Sequence, residues 1–210
     1  MANGDPGTAE RIFAAAEELF GRSGHDGVSM RDIARRAGVN KALVFYYYGN
    51  KRALFEQVVE GYYTAHQEAL AEAFAEEEGT LRDRLHRVLD AYIDFINENR
   101  NYARLVQREA GQSEDNIALI QRGLLPLYEW TVKAISEIAP QKGHLAARQF
   151  FLTFSASVVN YFTYAEVLAP LWGNDPFSPA AVEERRQHLH WLVNTALDRL
   201  EAEVKVGSGA

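Results

Sequence analysis

The apolar positions of this chain recur mainly three and four residues apart, which is the spacing of one face of an α-helix. The alternation of apolar and polar residues that is typical of strands is not found. The pattern predicts a first helix from Thr8 to Ser23 with Ile12, Ala16 and Phe20 on one side. Later helices are predicted at about 50–78, from 80, at 102–110, at 113–140, at 143–168 and from 178. We therefore predict an all-α protein of about nine helices in two parts.

Local signals place the ends of several predicted helices. Thr80 with Asp83 forms a capping-box pattern, Ser113 is a second capping residue, and Ser178 precedes a proline at a first helical position. Pro126 is expected to kink or split the helix that contains it, and Pro140 to end that helix. Residues 143–168 form the most apolar helix, which we expect to be buried on more than one side. Residues 169–179 are rich in proline and glycine and predict a loop.

Residues 28–55 predict two short helices joined by a tight turn and followed by a longer helix. Ser29 with Asp32 is a capping box, and Asn40 and Asn50 cap the two helices that follow. Gly38 permits the sharp turn, and Val39 fills the corner between the two short helices. A short helix, a glycine turn and a second short helix form a helix-turn-helix, whose second helix can lie in the major groove of DNA.

Between Thr8 and Phe55 the chain resembles the tetracycline-repressor-like (TetR/AcrR) family of transcription regulators. The residues that carry the resemblance are Arg11-Ile12, Ala15-Ala16, Leu19-Phe20, Gly24, Gly27, Asp32-Ile33-Ala34, Ala37-Gly38-Val39 and Asn50-Lys51-Arg52-Ala53-Leu54-Phe55. The resemblance implies a three-helix DNA-binding domain at 8–55 and a helical ligand-binding and dimerisation domain at 56–203. We expect 1–7 to be a loose arm and 204–210 a flexible tail.

The resemblance also implies a set of DNA-binding residues: Ser29, Arg31, Asn40, Lys41, Ala42, Leu43, Phe45, Tyr46, Tyr47 and Lys51. Arg31 is expected at either a guanine edge or a phosphate, and Lys41 at guanine O6 and N7. The tyrosines and Lys51 are expected at phosphates. Phe45 departs from the family pattern, where a tyrosine is common. Tyr48 occupies a position where the family usually packs a phenylalanine, so we expect it in the core.

Family members dimerise through their last two helices, here the eighth and ninth predicted helices, and two copies would read a palindromic operator in double-stranded DNA. The family usually couples DNA release to an unknown small-molecule effector, here expected to be largely apolar or aromatic. Its candidate contacts are Tyr62, His66, Tyr92, Phe95, Tyr128, Phe154, Asn160 and Tyr164. Packing alone explains the aromatic residues equally well. Asn160 lies on an apolar helix, where we expect a buried amide bonded to a neighbouring helix or to a ligand.

Charge is unevenly distributed along the 210 residues, whose net charge is −7. Ser29–Arg52 contains six basic residues and one acidic residue, a net +5, whereas residues 57–210 contain 14 basic and 22 acidic residues, a net −8. An acidic body would turn the basic end toward DNA.

Other function classes find little support in the sequence. The chain has no cysteine, no apolar run long enough to span a membrane and no signal-peptide pattern near its start, which suits the cytoplasm. A di-iron bundle requires histidines that follow a glutamate by three residues. The sequence has no such pair, and Asp83 with His86 is the nearest match. We therefore expect no catalytic residue, metal or cofactor.

The remaining alternative is a helical module that binds a small molecule or protein without DNA, which leaves the basic segment unexplained. Repression is the family default, but the sequence does not distinguish it from activation.

Overall fold

Helices make up almost all of this computed structural model, which describes residues 6–75, 79–136, 138–173 and 175–207. The described residues contain nine helices and no strand. The helices are α1 Pro6–Ser23, α2 Met30–Ala37, α3 Lys41–Tyr48, α4 Lys51–Ala75, α5 Leu81–Glu98, α6 Arg100–Glu109, α7 Glu114–Ile135, α8 Ala147–Trp172 and α9 Pro179–Gly207. The predicted all-α fold is confirmed. None of these helices is long and apolar enough to cross a membrane.

The helix starts follow the capping residues of the sequence. The Ser29 hydroxyl accepts the Asp32 backbone N–H at 3.2 Å, and the Asp32 carboxylate accepts the Ser29 N–H at 3.1 Å. The same reciprocal pair joins Thr80 and Asp83 at the start of α5. The hydrogen bonds from Ser29 hold the pKa of Asp32 below its ordinary value. These contacts span three residues and satisfy donors that every helix N-terminus exposes.

Several boundaries differ from the prediction. α1 begins at Pro6, two residues before Thr8, because proline is well suited to a first helical position. α8 begins at Ala147, since Gly143 has a φ of +92° and cannot start a right-handed helix. α8 also continues through Pro170 to Trp172 and ends where Gly173 adopts a φ of +70°. The predicted loop at 169–179 is correspondingly shorter.

Two proline expectations were also wrong in part. α7 is continuous from Glu114 to Ile135, so Pro126 does not split it, and the helix ends well before Pro140. α9 extends to Gly207, so the first part of the predicted flexible tail is helical. Pro6 and Gly7, the last two residues of the predicted arm at 1–7, are helical. The first five residues of that arm, the end of the fourth predicted helix at 76–78 and the last three residues of the tail at 208–210 lie outside the described residues.

The chain divides into two compact units, each with its own core. The first unit ends at Ala65 and also includes Asn101–Leu124, and the second comprises His66–Arg100 and the chain from Leu125 onward. The first core includes the fully buried side chains Ile12, Phe20, Ile33, Val44, Leu54 and Phe55. The second includes Ile93, Ile96, Val158, Phe162, Leu189 and Leu200. α6 and the first part of α7 thus belong to the same unit as the helix-turn-helix.

Candidate nucleic-acid interface and apolar cavity

The turn between α2 and α3 is fixed by hydrogen bonds at the end of α2. Gly38 lies in the left-handed region with a φ of +66°, and its N–H is bonded to the Arg35 carbonyl. The Val39 N–H donates to the Ala34 carbonyl at 3.0 Å, which completes a Schellman-type end. Ile33 and Ala34 are buried on α2, and Val44 is fully buried on α3. The turn and these apolar contacts set the direction in which α3 leaves α2.

The outer face of α3 carries most of the residues that the sequence predicted. Lys41 and Ala42 are exposed, as are the aromatic side chains of Phe45 and Tyr46, while Leu43 and Tyr47 are half-buried. The Asn40 side-chain oxygen accepts the Ala42 N–H at 2.9 Å, so this residue caps the helix. Val44 is the fully buried residue of α3, and the four exposed side chains are available to a partner.

The N-terminus of α2, the start of α3 and the start of α4 meet around one surface depression. Five of the ten predicted DNA-binding residues line it: Ser29, Arg31, Lys41, Phe45 and Lys51. The Lys51 ammonium donates to the His25 carbonyl at 2.9 Å, a contact that the sequence did not predict. An ammonium has three donors, so Lys51 can hold this carbonyl and an anion together.

Ion pairs reduce the positive charge that the sequence suggested. Arg35 lies 2.8 Å from Asp32, Arg36 pairs with Glu18, and Arg52 lies 2.7 Å from Glu56. No such pair to Arg31, Lys41 or Lys51 is found within the described part of the chain. These three residues are therefore the cations best placed to meet phosphates or base edges.

A buried carboxylate connects α6 and α7 to the loop after α1, and sequence reasoning missed it. Glu109, which is 6% exposed, accepts the His25 backbone N–H at 3.1 Å and the Asn116 side-chain amide at 2.8 Å. Arg52 donates to the Asn116 side-chain oxygen. We call Glu109, His25, Asn116 and Arg52 the Glu109 network. Its members lie up to about 90 residues apart, so no local pattern could reveal it.

The second unit contains an apolar cavity of about 110 Å³. Its lining comes from α4, α5, α7, α8 and α9, and none of the lining residues is exposed: Leu70, Leu85, Val88, Leu89, Tyr92, Leu127, Thr131, Ile135, Phe150, Phe151, Phe154, Ser155, Val193, Ala196, Leu197 and Leu200. The side-chain polar atoms of this set are three hydroxyl oxygens. Among the described residues, no group of His, Asp and Glu side chains is arranged to hold a metal ion.

Comparison with known proteins identifies the helix-turn-helix unit. Residues 12–58 match the family model for bacterial regulatory proteins of the tetR family. These residues form a TetR-family helix-turn-helix. The chain is 48% identical over 61 residues to the HTH-type transcriptional repressor SCO4008 of Streptomyces coelicolor, covering 29% of this chain and 32% of that protein. It is 30% identical over 89 residues to the HTH-type transcriptional repressor NicS of Pseudomonas putida, covering 41% of this chain and 42% of that protein. The chain thus spans less than half the length of these curated relatives.

The likeness of fold extends further than the likeness of sequence. A TetR-like transcriptional regulator from Rhodococcus sp. RHA1 matches with a TM-score of 0.63, covering 94% of this chain and 99% of that one. The identity is only 21%, so this match speaks for the fold alone. The second unit therefore shares the fold of this regulator.

The structure separates the eight candidate ligand residues into groups. Tyr92 and Phe154 line the cavity. His66 stacks on Tyr92 and Phe95, with ring centroids 4.9 and 4.6 Å apart, so these side chains form one aromatic stack. Tyr128 packs edge-on against the cavity residue Phe151, at 5.1 Å. Tyr62 belongs to the first unit, where it stacks on Tyr102 at 5.0 Å.

Asn160 and Tyr164 do not line the cavity. Asn160 is exposed, so the expectation of a buried amide was wrong, and Tyr164 is 56% exposed. Both lie on a part of α8 that a single chain leaves uncovered. The expectation that α8 is buried on more than one side is likewise not met within one chain.

An apolar surface covers the second half of α8. Its members recur at helical spacing and are all exposed: Tyr164, Val167, Leu168, Leu171 and Trp172. Trp191 on α9 is also 60% exposed. We call these six residues the α8–α9 apolar surface. Exposed apolar side chains that recur along a helix in this way mark an interaction site.

Proposed function

We propose that this chain is a ligand-responsive transcription regulator, which binds a palindromic operator as a homodimer and is released from it by a small molecule. The observation that carries the proposal is the outer face of α3. It presents Lys41, Phe45 and Tyr46 to solvent while Val44 anchors the opposite face in the core. A short helix held in this way is suited to enter the major groove.

The DNA contacts follow from these positions. Lys41 donates to guanine O6 and N7, Ala42 and Leu43 contact thymine methyl groups, and Tyr46 and Tyr47 donate to phosphates. The N-terminus of α2, with Ser29 and Arg31, faces the backbone of the duplex. Lys51 contacts a phosphate while it remains bonded to the His25 carbonyl. Phe45 contributes apolar contact in place of the hydroxyl that is common at its position.

The α8–α9 apolar surface supports dimerisation. Two copies related by a two-fold axis would bury the same residues on both sides, as an isologous interface requires. A dimer also explains specificity, because one short helix reads only a few base pairs and two copies read two half-sites.

The apolar cavity is the proposed effector site. An effector that binds best to a dimer conformation whose two recognition helices no longer match successive major grooves shifts the population toward release from DNA. By linkage, such an effector binds the DNA complex less tightly than it binds the free dimer. The α4 helix begins at Lys51 and includes the cavity residue Leu70, so one continuous element contributes to both sites. The relatives SCO4008 and NicS are named repressors, which supports repression as the regulatory sign.

The DNA contacts can be tested by measuring operator affinity by fluorescence anisotropy. The double variant Arg31→Ala with Lys41→Ala should lose about 100-fold in affinity, because each side chain is expected to contribute about 1–3 kcal/mol. Lys142→Ala is the matched control, since it removes an exposed cation from the second unit. Unchanged affinity of a double variant whose circular dichroism matches the wild type would contradict the proposed DNA interface.

A further inference from the structure

The lining of the apolar cavity has a uniform chemical character. Thirteen of its sixteen side chains are purely hydrocarbon, and no charged side chain is among them. Charged residues do occur on the two helices that form one wall, α5 and α9. They pair with one another instead, Arg82 with Asp198 at 2.7 Å and Arg186 with Asp90 at 2.8 Å. A ligand in the cavity therefore meets no counter-charge.

The three hydroxyls of the lining provide one polar contact point. Thr131 donates its hydrogen to the Leu127 carbonyl within α7 at 2.8 Å. The Tyr92 hydroxyl and the Ser155 hydroxyl lie 3.2 Å apart and are bonded to each other. Because each hydroxyl has one hydrogen, this pair can still donate one hydrogen bond and accept others. A ligand with one hydroxyl or carbonyl can satisfy it.

The titratable groups at this polar point are neutral at physiological pH. Burial raises the pKa of Tyr92 to about 12, so its phenol stays protonated. His66 stacks on Tyr92 and is 3% exposed, and burial lowers the pKa of its imidazole to about 4. An ionised ligand would lose its hydration here without a compensating charge, which costs several kcal/mol.

The cavity volume limits the apolar part of the ligand. At about 110 Å³ it is comparable to an apolar protein cavity of about 150 Å³ that binds benzene. One aromatic ring or a short alkyl chain fits this space. A polycyclic or long-chain molecule would require the lining to move.

We propose that the cavity binds an uncharged molecule whose apolar body is one aromatic ring or a short alkyl chain and whose single hydrogen-bonding group meets the Tyr92–Ser155 pair. That this molecule is the effector rests on the proposed function. The binding preference itself does not, since it follows from the cavity alone.

The test uses four probes with one carbon skeleton: toluene, benzyl alcohol, benzoate and benzylammonium. Their binding to the full-length protein is measured by isothermal titration calorimetry at neutral pH. Toluene and benzyl alcohol should bind, and both ions should bind at least about 100-fold more weakly, because a buried charge without a partner is so costly. The double variant Tyr92→Phe with Ser155→Ala should weaken the binding of benzyl alcohol about tenfold and leave the binding of toluene nearly unchanged.

Matched variants on α9 locate the site. Ala196→Phe fills the cavity and should abolish toluene binding, whereas Thr195→Phe, at the exposed neighbouring position, should not. The four-probe comparison on the wild type needs no variant, so it stands even if Ala196→Phe does not fold.

Three results would overturn the inference: benzoate or benzylammonium binding as tightly as benzyl alcohol, a folded Ala196→Phe variant binding toluene normally, or no probe binding at millimolar concentration. Operator binding by the ligand-free protein is measured separately. Its absence would count against the proposed function and would leave the probe result intact.

Discussion

Replacement of Gly38 by alanine tests whether the turn of the helix-turn-helix depends on glycine for backbone reasons alone. Gly38 has a φ of +66°, and a Cβ built on it meets nothing within 4 Å. Any destabilisation must therefore come from the left-handed conformation, which costs an L-residue about 1–2 kcal/mol. Alanine also restricts the unfolded chain, which offsets about 0.4–1 kcal/mol. The net loss should be about 1 kcal/mol.

Gly111 offers a matched control on the same unit. A Cβ on Gly111 also meets nothing within 4 Å, but its φ is not in the left-handed region. Gly111→Ala should therefore be neutral or stabilising by up to about 1 kcal/mol. Gly38→Asn should fall between Gly38→Ala and the wild type, since asparagine tolerates this region better.

The assay is urea unfolding followed by circular dichroism at one fixed protein concentration, with operator affinity measured on the same variants. Gly38→Ala should lower both stability and DNA affinity, because the turn sets the direction of α3. If Gly38→Ala were no less stable than Gly111→Ala, the backbone account of the turn would be refuted.

Three further predictions concern the Glu109 network, the α8–α9 apolar surface and His66. Glu109→Ala leaves the His25 N–H and the Asn116 amide without their buried acceptor and should cost about 2–4 kcal/mol in urea unfolding, whereas the exposed Glu129→Ala should cost less than 0.5 kcal/mol. Leu171 is 80% exposed in one chain but would be buried in the proposed dimer, so Leu171→Asp places a charge in the interface and should give a folded monomer in analytical ultracentrifugation. A dimer that persists would place the interface elsewhere. Since burial lowers the pKa of His66 to about 4 in the folded state, below its ordinary 6.5, the unfolded state binds more protons between these values. The free energy of unfolding should fall by about 3 kcal/mol as pH drops from 6.5 to 4. His66→Phe keeps an aromatic ring in the stack and should lose this part of the pH dependence. An equal pH dependence in the variant and the wild type would contradict its assignment to His66.

Features set by neighbouring residues were predictable from the sequence. The Ser29–Asp32 box, the Asn40 cap and the Gly38 turn each involve groups within five residues of one another, so residue type alone determines them. The outward face of α3 followed from helical periodicity once these ends were fixed.

Features set by contacts between distant helices were not predictable. Arg36 counts as a free cation in the sequence, yet it pairs with Glu18 on α1. Asn160 suggested a buried amide because its helix is apolar, but the apolar side chains around it include many that one chain leaves exposed. The Glu109 network and the cavity each depend on which helices pack together. Neither has a local sequence signal.

Selection of fragmented genomic DNA on the purified protein tests the central claim most directly. Bound fragments would be sequenced and retested at rising salt concentration. We predict a shared inverted repeat with half-site centres about one helical turn, or a multiple of it, apart, and binding that persists near physiological salt. Weak binding that salt abolishes and fragments without a shared sequence, from a folded dimer free of added ligand, would contradict a specific operator reader.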